Sequence, residues 1–178
     1  MNIEVQRWMD GLGHAGVMDL SAEMLRLTQY VAGRALIGPD YEKELGEGFW
    51  DLYLDISRSL EPVMPPNLQF PKLRRRDQAK AKINQIFRGM IEKRRQNPDG
   101  YDDLISTLLQ TPLKDGSFME DQTIVNMFTG LLFAGHETTA GQAAWTVAQL
   151  LQDSDYLEMV LNELKLKLPP QTEITHDI

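Results

Sequence analysis

The longest proline-free stretch of this chain lies between Pro112 and Pro169, and within it residues 120–151 keep one helical pattern throughout. Apolar or small residues recur at Met127, Leu131, Ala134, Thr138, Gly141 or Gln142, and Trp145, the spacing of a single helical stripe. Ser117-x-x-Glu120 reads as a capping box just ahead of it. A helix of that length measures about 45 Å at 1.5 Å rise per residue, enough to cross a whole domain. The remaining elements have to be arranged around it.

The helix carries a flaw at its middle. Gly130, Gly135 and Gly141 each cost about 1 kcal/mol relative to alanine in a helix interior, so the pattern predicts a bend or a close approach to the backbone there. At the same place Glu137, Thr138 and Thr139 interrupt the apolar run, and polar groups within a core need partners. An acid beside an alcohol can deliver protons to a bound ligand, the hydroxyl donating and the carboxylate resupplying. Ala134 and Gly135, one turn earlier, leave room for a flat cofactor.

A plainer account also fits these residues. Small side chains at four-residue spacing, Gly130/Ala134/Thr138 and Ala140/Ala144, suit close helix packing, and helical hydroxyls bond back to the preceding turn. A zinc protease fits them less well. His136-Glu137 opens an H-E-x-x-H motif, but residue 140 is alanine and the second ligand is missing.

With 178 residues, 42% of them hydrophobic, the chain can bury one sizeable core. No apolar run reaches membrane-spanning length, and the N-terminus carries no secretory signal, which together point to a cytoplasmic chain unless an anchor lies elsewhere. There is no cysteine, hence no disulfide and no thiolate ligand. Charge is uneven. Residues 72–95 hold ten basic and two acidic side chains, a net of +8 against −8 for the whole chain, so the rest carries −16. Such a segment could meet an acidic partner, a membrane surface or nucleic acid, but its basic residues alternate with Ile83, Ile86, Phe87, Met90 and Ile91, the pattern of a solvated helix face.

Taken in order, a short helix spans about Ile3–Leu12 and a second, capped by Asp19 or Ser21, ends at Gly38-Pro39. A third places Leu45, Phe49, Leu52, Ile56 and Leu60 on one face and stops at Glu61-Pro62. Pro62, Pro65, Pro66 and Pro71 form an extended connector to a basic helix from about Lys72 to Gln96. Turns at Asn97-Pro98-Asp99-Gly100 and Lys114-Asp115-Gly116 bracket a short helix with Leu104, Ile105, Leu108 and Leu109. Beyond the long helix, Asp153 or Ser154 caps a last one with Leu157, Val160, Leu161 and Leu164, and Lys165–Ile178 reads as a frayed tail. No segment alternates with period two, so the class is all-α.

Ala134-Gly135-His136-Glu137-Thr138-Thr139 resembles the oxygen-activation signature (Ala/Gly)-Gly-x-(Asp/Glu)-Thr-(Thr/Ser) on the long central helix of cytochrome P-450 monooxygenases. Phe70-Pro71-Lys72-Leu73-Arg74-Arg75-Arg76-Asp77, Lys93-Arg94-Arg95, Asp102-Asp103-Leu104-Ile105-Ser106-Thr107-Leu108-Leu109 and Ala143-Ala144-Trp145-Thr146 are similar to stretches of sterol 14α-demethylases. Glu137-Thr138 departs from them, since sterol demethylases usually carry His-Thr there, whereas the wider superfamily carries an acid and threonine.

The resemblance implies the central helices of that fold, with residues 1–178 as one partial domain. It implies a haem cofactor and a monooxygenase acting on a sterol or another large apolar substrate, with electrons from a redox partner. Thr138 and Glu137 would be catalytic, Thr138 hydrogen-bonding oxygen and Glu137 feeding protons for O–O cleavage. Ala134, Gly135 and Thr138 would lie against the haem, while Met127, Leu131 and Phe133 would wall the substrate, Phe133 standing off the stripe. No metal ligand is expected here. The family's haem is held by a cysteine thiolate, which this chain lacks, and the loop F-x-x-G-x-R-x-C-x-G and a later Glu-x-x-Arg are absent too. Glu4/Arg7, Glu23/Arg26 and Glu92/Arg95 have that last spacing, but all precede the motif and read as surface ion pairs. The chain therefore reads as a central fragment, inactive by itself, with a genuinely short cysteine-free relative as the alternative. His14, His136 and His176 are not expected to serve, His136 pointing off the Ala134/Thr138 face. The second reading is a non-catalytic helical interaction module whose basic helix binds an acidic partner, with nucleic acid not expected.

Overall fold

The computed structural model describes residues 2–46, 48–59 and 71–168, the Lys72 side chain apart. Eight helices follow one another: α1 (Asn2–Asp10), α2 (Leu20–Ile37), α3 (Tyr41–Leu45), α4 (Phe49–Ser57), α5 (Pro71–Gln96), α6 (Leu104–Gln110), α7 (Asp121–Gln152) and α8 (Ser154–Lys167). No strand occurs among the described residues. Contacts divide the chain into two compact units, Ala32–Gly135 and a second made of Met1–Val31 with His136–Ile178.

Most helix ends fall where local chemistry stops or starts them. The Asp19 carboxylate accepts from the Ala22 amide at the start of α2, and Asp103 and Asp153 do the same for Ser106 and Tyr156 at the starts of α6 and α8. Pro71 occupies the first position of α5, where its missing N–H costs nothing. Three boundaries differ from expectation. The third predicted helix is two, because Gly46 (φ 78°) and Gly48 (φ 75°) adopt left-handed backbone between Leu45 and Phe49. α7 starts only at Asp121, past the expected Ser117 cap, its first turn closed by the Ile124 amide donating to the Glu120 carbonyl, while the Ser117 hydroxyl donates to Asp115. Finally, α8 continues to Lys167, past the predicted tail at Lys165. Leu60, the Glu61-Pro62 stop, the connector prolines before Pro71, and Pro169–Ile178 with His176 lie outside the described residues.

In the unit Ala32–Gly135, α4 packs along α5, which also meets α3 and α6. Phe87 of α5 links Phe49 and Phe128, with ring centroids 6.0 and 5.6 Å away, and Tyr53 stacks on Phe133 at 4.2 Å. These rings are close enough to contribute beyond their buried area. In the other unit, Trp8 of α1 donates to the Glu23 carboxylate of α2 at 2.9 Å, and Arg7 and Arg26 each lie 5.7 Å from the Tyr30 ring.

Candidate functional site

One polar centre is fully closed. Arg94 is 2% exposed and donates to Asp103 through Nε at 3.0 Å and Nη2 at 2.6 Å, to Glu44 through Nη1 at 3.0 Å, and lies 4.1 Å over the Tyr101 ring. Burial opposes the Arg94 charge, but its hydrogen bonds to Asp103 and Glu44 outweigh that, and its pKa is raised. Burial likewise works to raise the Glu44 pKa, yet hydrogen bonds from Arg94 and Lys93 bring it below the ordinary glutamate range. Arg95 forms a two-armed ion pair with Asp121 at the head of α7. The basic segment is thus not simply a solvated face, since carboxylates take up Lys93, Arg94 and Arg95 at its C-terminal end. A partner-binding surface there would have to break these pairs.

The three expected surface pairs also resolve differently. Arg7 does meet Glu4, at 3.8 Å, but Glu4 is buried. Glu23 accepts from Trp8, Arg26 donates to the Tyr30 hydroxyl, and Arg95 turns to Asp121.

The long helix has the opposite character. It is one helix of 32 residues, so the glycines do not interrupt it. The buried positions are Ile124, Val125, Phe128, Leu132, His136 and Ala140, a stripe that drifts slowly around the helix. Met127, Leu131, Ala134 and Thr138 fall within about 60° of one another on a different side, and all are exposed, Met127 at 39% and Leu131 at 42%. The stripe read from sequence is therefore the helix's open face and not its core face. Glu137, Thr138 and Thr139 are exposed as well, so they are not the buried polar groups expected. A Cβ added at Gly130, Gly135 or Gly141 would meet nothing within 4 Å, so no backbone approaches them among the described residues. His136 is fully buried, and a two-residue step of 200° sets it about 160° from both Ala134 and Thr138.

Phe133 stands apart from this face. It is half-buried and stacked on Tyr53, a partner the sequence did not single out. No group of three or more metal-ligating side chains occurs among the described residues.

The cytochrome P-450 family model matches residues 7–178. The chain belongs to the cytochrome P-450 family. It is 34% identical over 172 residues to the lanosterol 14-alpha demethylase erg11 of Schizosaccharomyces pombe, covering 94% of this chain and 34% of that protein. It is 33% identical over 161 residues to a sterol 14-alpha demethylase of Aspergillus flavus, covering 89% of this chain and 31% of that protein. Among solved structures it resembles the haem domain of cytochrome P-450DA, with a TM-score of 0.80 and 22% identity over 99% of this chain and 39% of the other. The all-α architecture is thus part of the P-450 fold, and the chain spans about a third of the length of the curated relatives it matches.

A P-450 haem needs a flat apolar face on one side and a thiolate on the other. The exposed strip at Ala134 and Gly135, where among the described residues outside the helix a Cβ at Gly135 would meet nothing within 4 Å, fits the first need. None of the 178 residues can meet the second, because the sequence contains no cysteine.

Proposed function

We propose that this chain provides the oxygen-side helix of a haem-thiolate monooxygenase acting on a sterol or another large apolar substrate, with electrons from a redox partner. The carrying observation is the exposed strip of α7, where two apolar side chains, a helix-interior glycine and the motif threonine share one side. Haem, once held by a thiolate from outside these residues, would supply the oxygen chemistry. Ala134 and Gly135 would rest against the macrocycle. The Thr138 hydroxyl would hold a proton at the edge of the reaction space, and Glu137, one residue before it, would replace it from solvent. Met127 and Leu131 extend the same face by two turns and would exclude water beside the substrate. Phe133, turned toward Tyr53, would shape that wall only through its packing. The sterol assignment draws on the names of the curated relatives. Residues 1–178 would work as one partial domain of the enzyme.

The test is a chimera in which residues 7–178 replace the matching segment of the fission yeast demethylase. A thiolate-type carbon monoxide difference band together with lanosterol demethylation is the expected result. A haem-loaded chimera that oxidises other apolar compounds but no sterol would overturn the substrate assignment, and a folded chimera that takes up no haem would overturn the cofactor face.

A further inference from the structure

A groove of about 650 Å³ lies within the unit Ala32–Gly135, lined by Lys82, Ile86, Met90 and Lys93 of α5, Leu52 of α4, and Glu44 of α3. Its apolar surface is graded. Met90 is 1% exposed and forms the floor, while Ile86 and Leu52 are half-buried. The α3–α4 break opens it at one end, where Gly48 lines the groove in left-handed conformation.

Gly89 is the informative residue. It sits in the interior of α5, where glycine costs about 1 kcal/mol relative to alanine, and a Cβ there would meet nothing within 4 Å. Packing among the described residues gives no reason for it. What a side chain at Gly89 would take is the space of the groove itself. Charge identifies the occupant. Glu44 accepts from Lys93 at 3.2 Å and from Arg94 at 3.0 Å, and Arg94 also holds Asp103, so these two cations and two carboxylates cancel. No carboxylate pairs with Lys82 among the described ion pairs, which leaves one positive charge at the rim of an apolar trough. Lys82 and Met90 are eight residues apart, about 12 Å along α5.

We propose that this groove binds a monoanionic amphiphile, an acyl carboxylate whose head meets Lys82 and whose chain lies along Ile86, Met90 and Leu52. The groove's lining shares no residue with the strip of α7 assigned to haem. Titrating decanoate into the 178-residue chain by calorimetry, below the concentration at which decanoate self-associates, tests it. Saturable one-to-one binding is expected, weakened about two- to fivefold in Lys82→Gln and for neutral decan-1-ol, as suits one exposed charge pair. Gly89→Leu should abolish the saturable phase with helicity and melting unchanged. If that variant misfolds, the Lys82→Gln and decanol comparisons decide alone. Equal affinities for decanoate and decanol would reduce the binding to apolar adsorption, and binding to phosphatidylserine vesicles without binding of free decanoate would make the face a membrane contact. Either result, or no saturable binding, overturns the proposal.

Discussion

Arg94 and Thr138 are both polar side chains on long helices, yet Arg94, in the last turn of α5, is 2% exposed and gripped by two carboxylates, while Thr138 stands on an exposed strip of α7. The difference separates two uses of polarity. At Arg94 the charges are consumed by the fold, since each partner is buried or half-buried and together they tie α3, α5 and the start of α6. Along Ala134, Gly135 and Thr138 the side chains are exposed, and among the described residues a Cβ added at Gly135 would meet nothing within 4 Å outside its own helix.

Arg94→Ala breaks the first cluster most severely, leaving the Asp103 and Glu44 carboxylates without their buried guanidinium. A loss of about 3–5 kcal/mol is expected in urea unfolding, and a loss below about 1 kcal/mol would mean the cluster is already wet. Asp103→Asn is milder, weakening the bonds to Arg94 and the cap on Ser106, with an expected loss of about 1.5–3 kcal/mol. For Glu44 the handle is pH. Its pKa is lowered in the folded chain, so its contribution is complete above the ordinary glutamate range and is lost as pH falls through that range toward the lowered value. Glu44→Gln should therefore shrink the fall in urea midpoint between neutral and acid pH, whereas an unchanged acid limb would remove Glu44 from the account. At the other extreme, Thr138→Ala should shift stability by no more than about 0.5 kcal/mol. In the chimera with the yeast enzyme it should divert electrons from product to peroxide. Unchanged coupling would strip Thr138 of its proton-holding role.

The sequence made α1, α2, α5, α6 and α8 legible through caps, turn residues and apolar stripes, and the family through the six-residue motif. It misjudged polar residues lying on a stripe. Ile83, Phe87 and Met90 are core positions of α5 at i, i+4 and i+7, and Arg94 continues them at i+11, so its burial was written in the spacing, although its charge suggested a solvated face. Asp103 also carried a signal as the residue before Leu104, but one aspartate serving as both helix cap and ion-pair partner needs the three-dimensional meeting of α5 and α6. On α7 the error ran the other way. Apolar residues at helical spacing were read as one face, but the helix has two, and only the Ile124/Phe128/Leu132 side is buried. Periodicity finds stripes and does not say which stripe has a partner. Tyr53 was missed because nothing local marks a tyrosine that will stack on Phe133 some 80 residues later.

The most direct test of the central claim sets two equally open glycines against each other. Among the described residues Gly135 and Gly89 both have nothing within 4 Å of an added Cβ, yet only Gly135 lies on the face assigned to haem, so a tryptophan at each compares the two faces, with helical content measured for both. The carbon monoxide difference spectrum of the chimera should show the thiolate-type band in the parent and in Gly89→Trp, and lose it in Gly135→Trp with the helical content intact. A Gly135→Trp protein that keeps the full band would contradict the assignment of this strip of α7 to the haem.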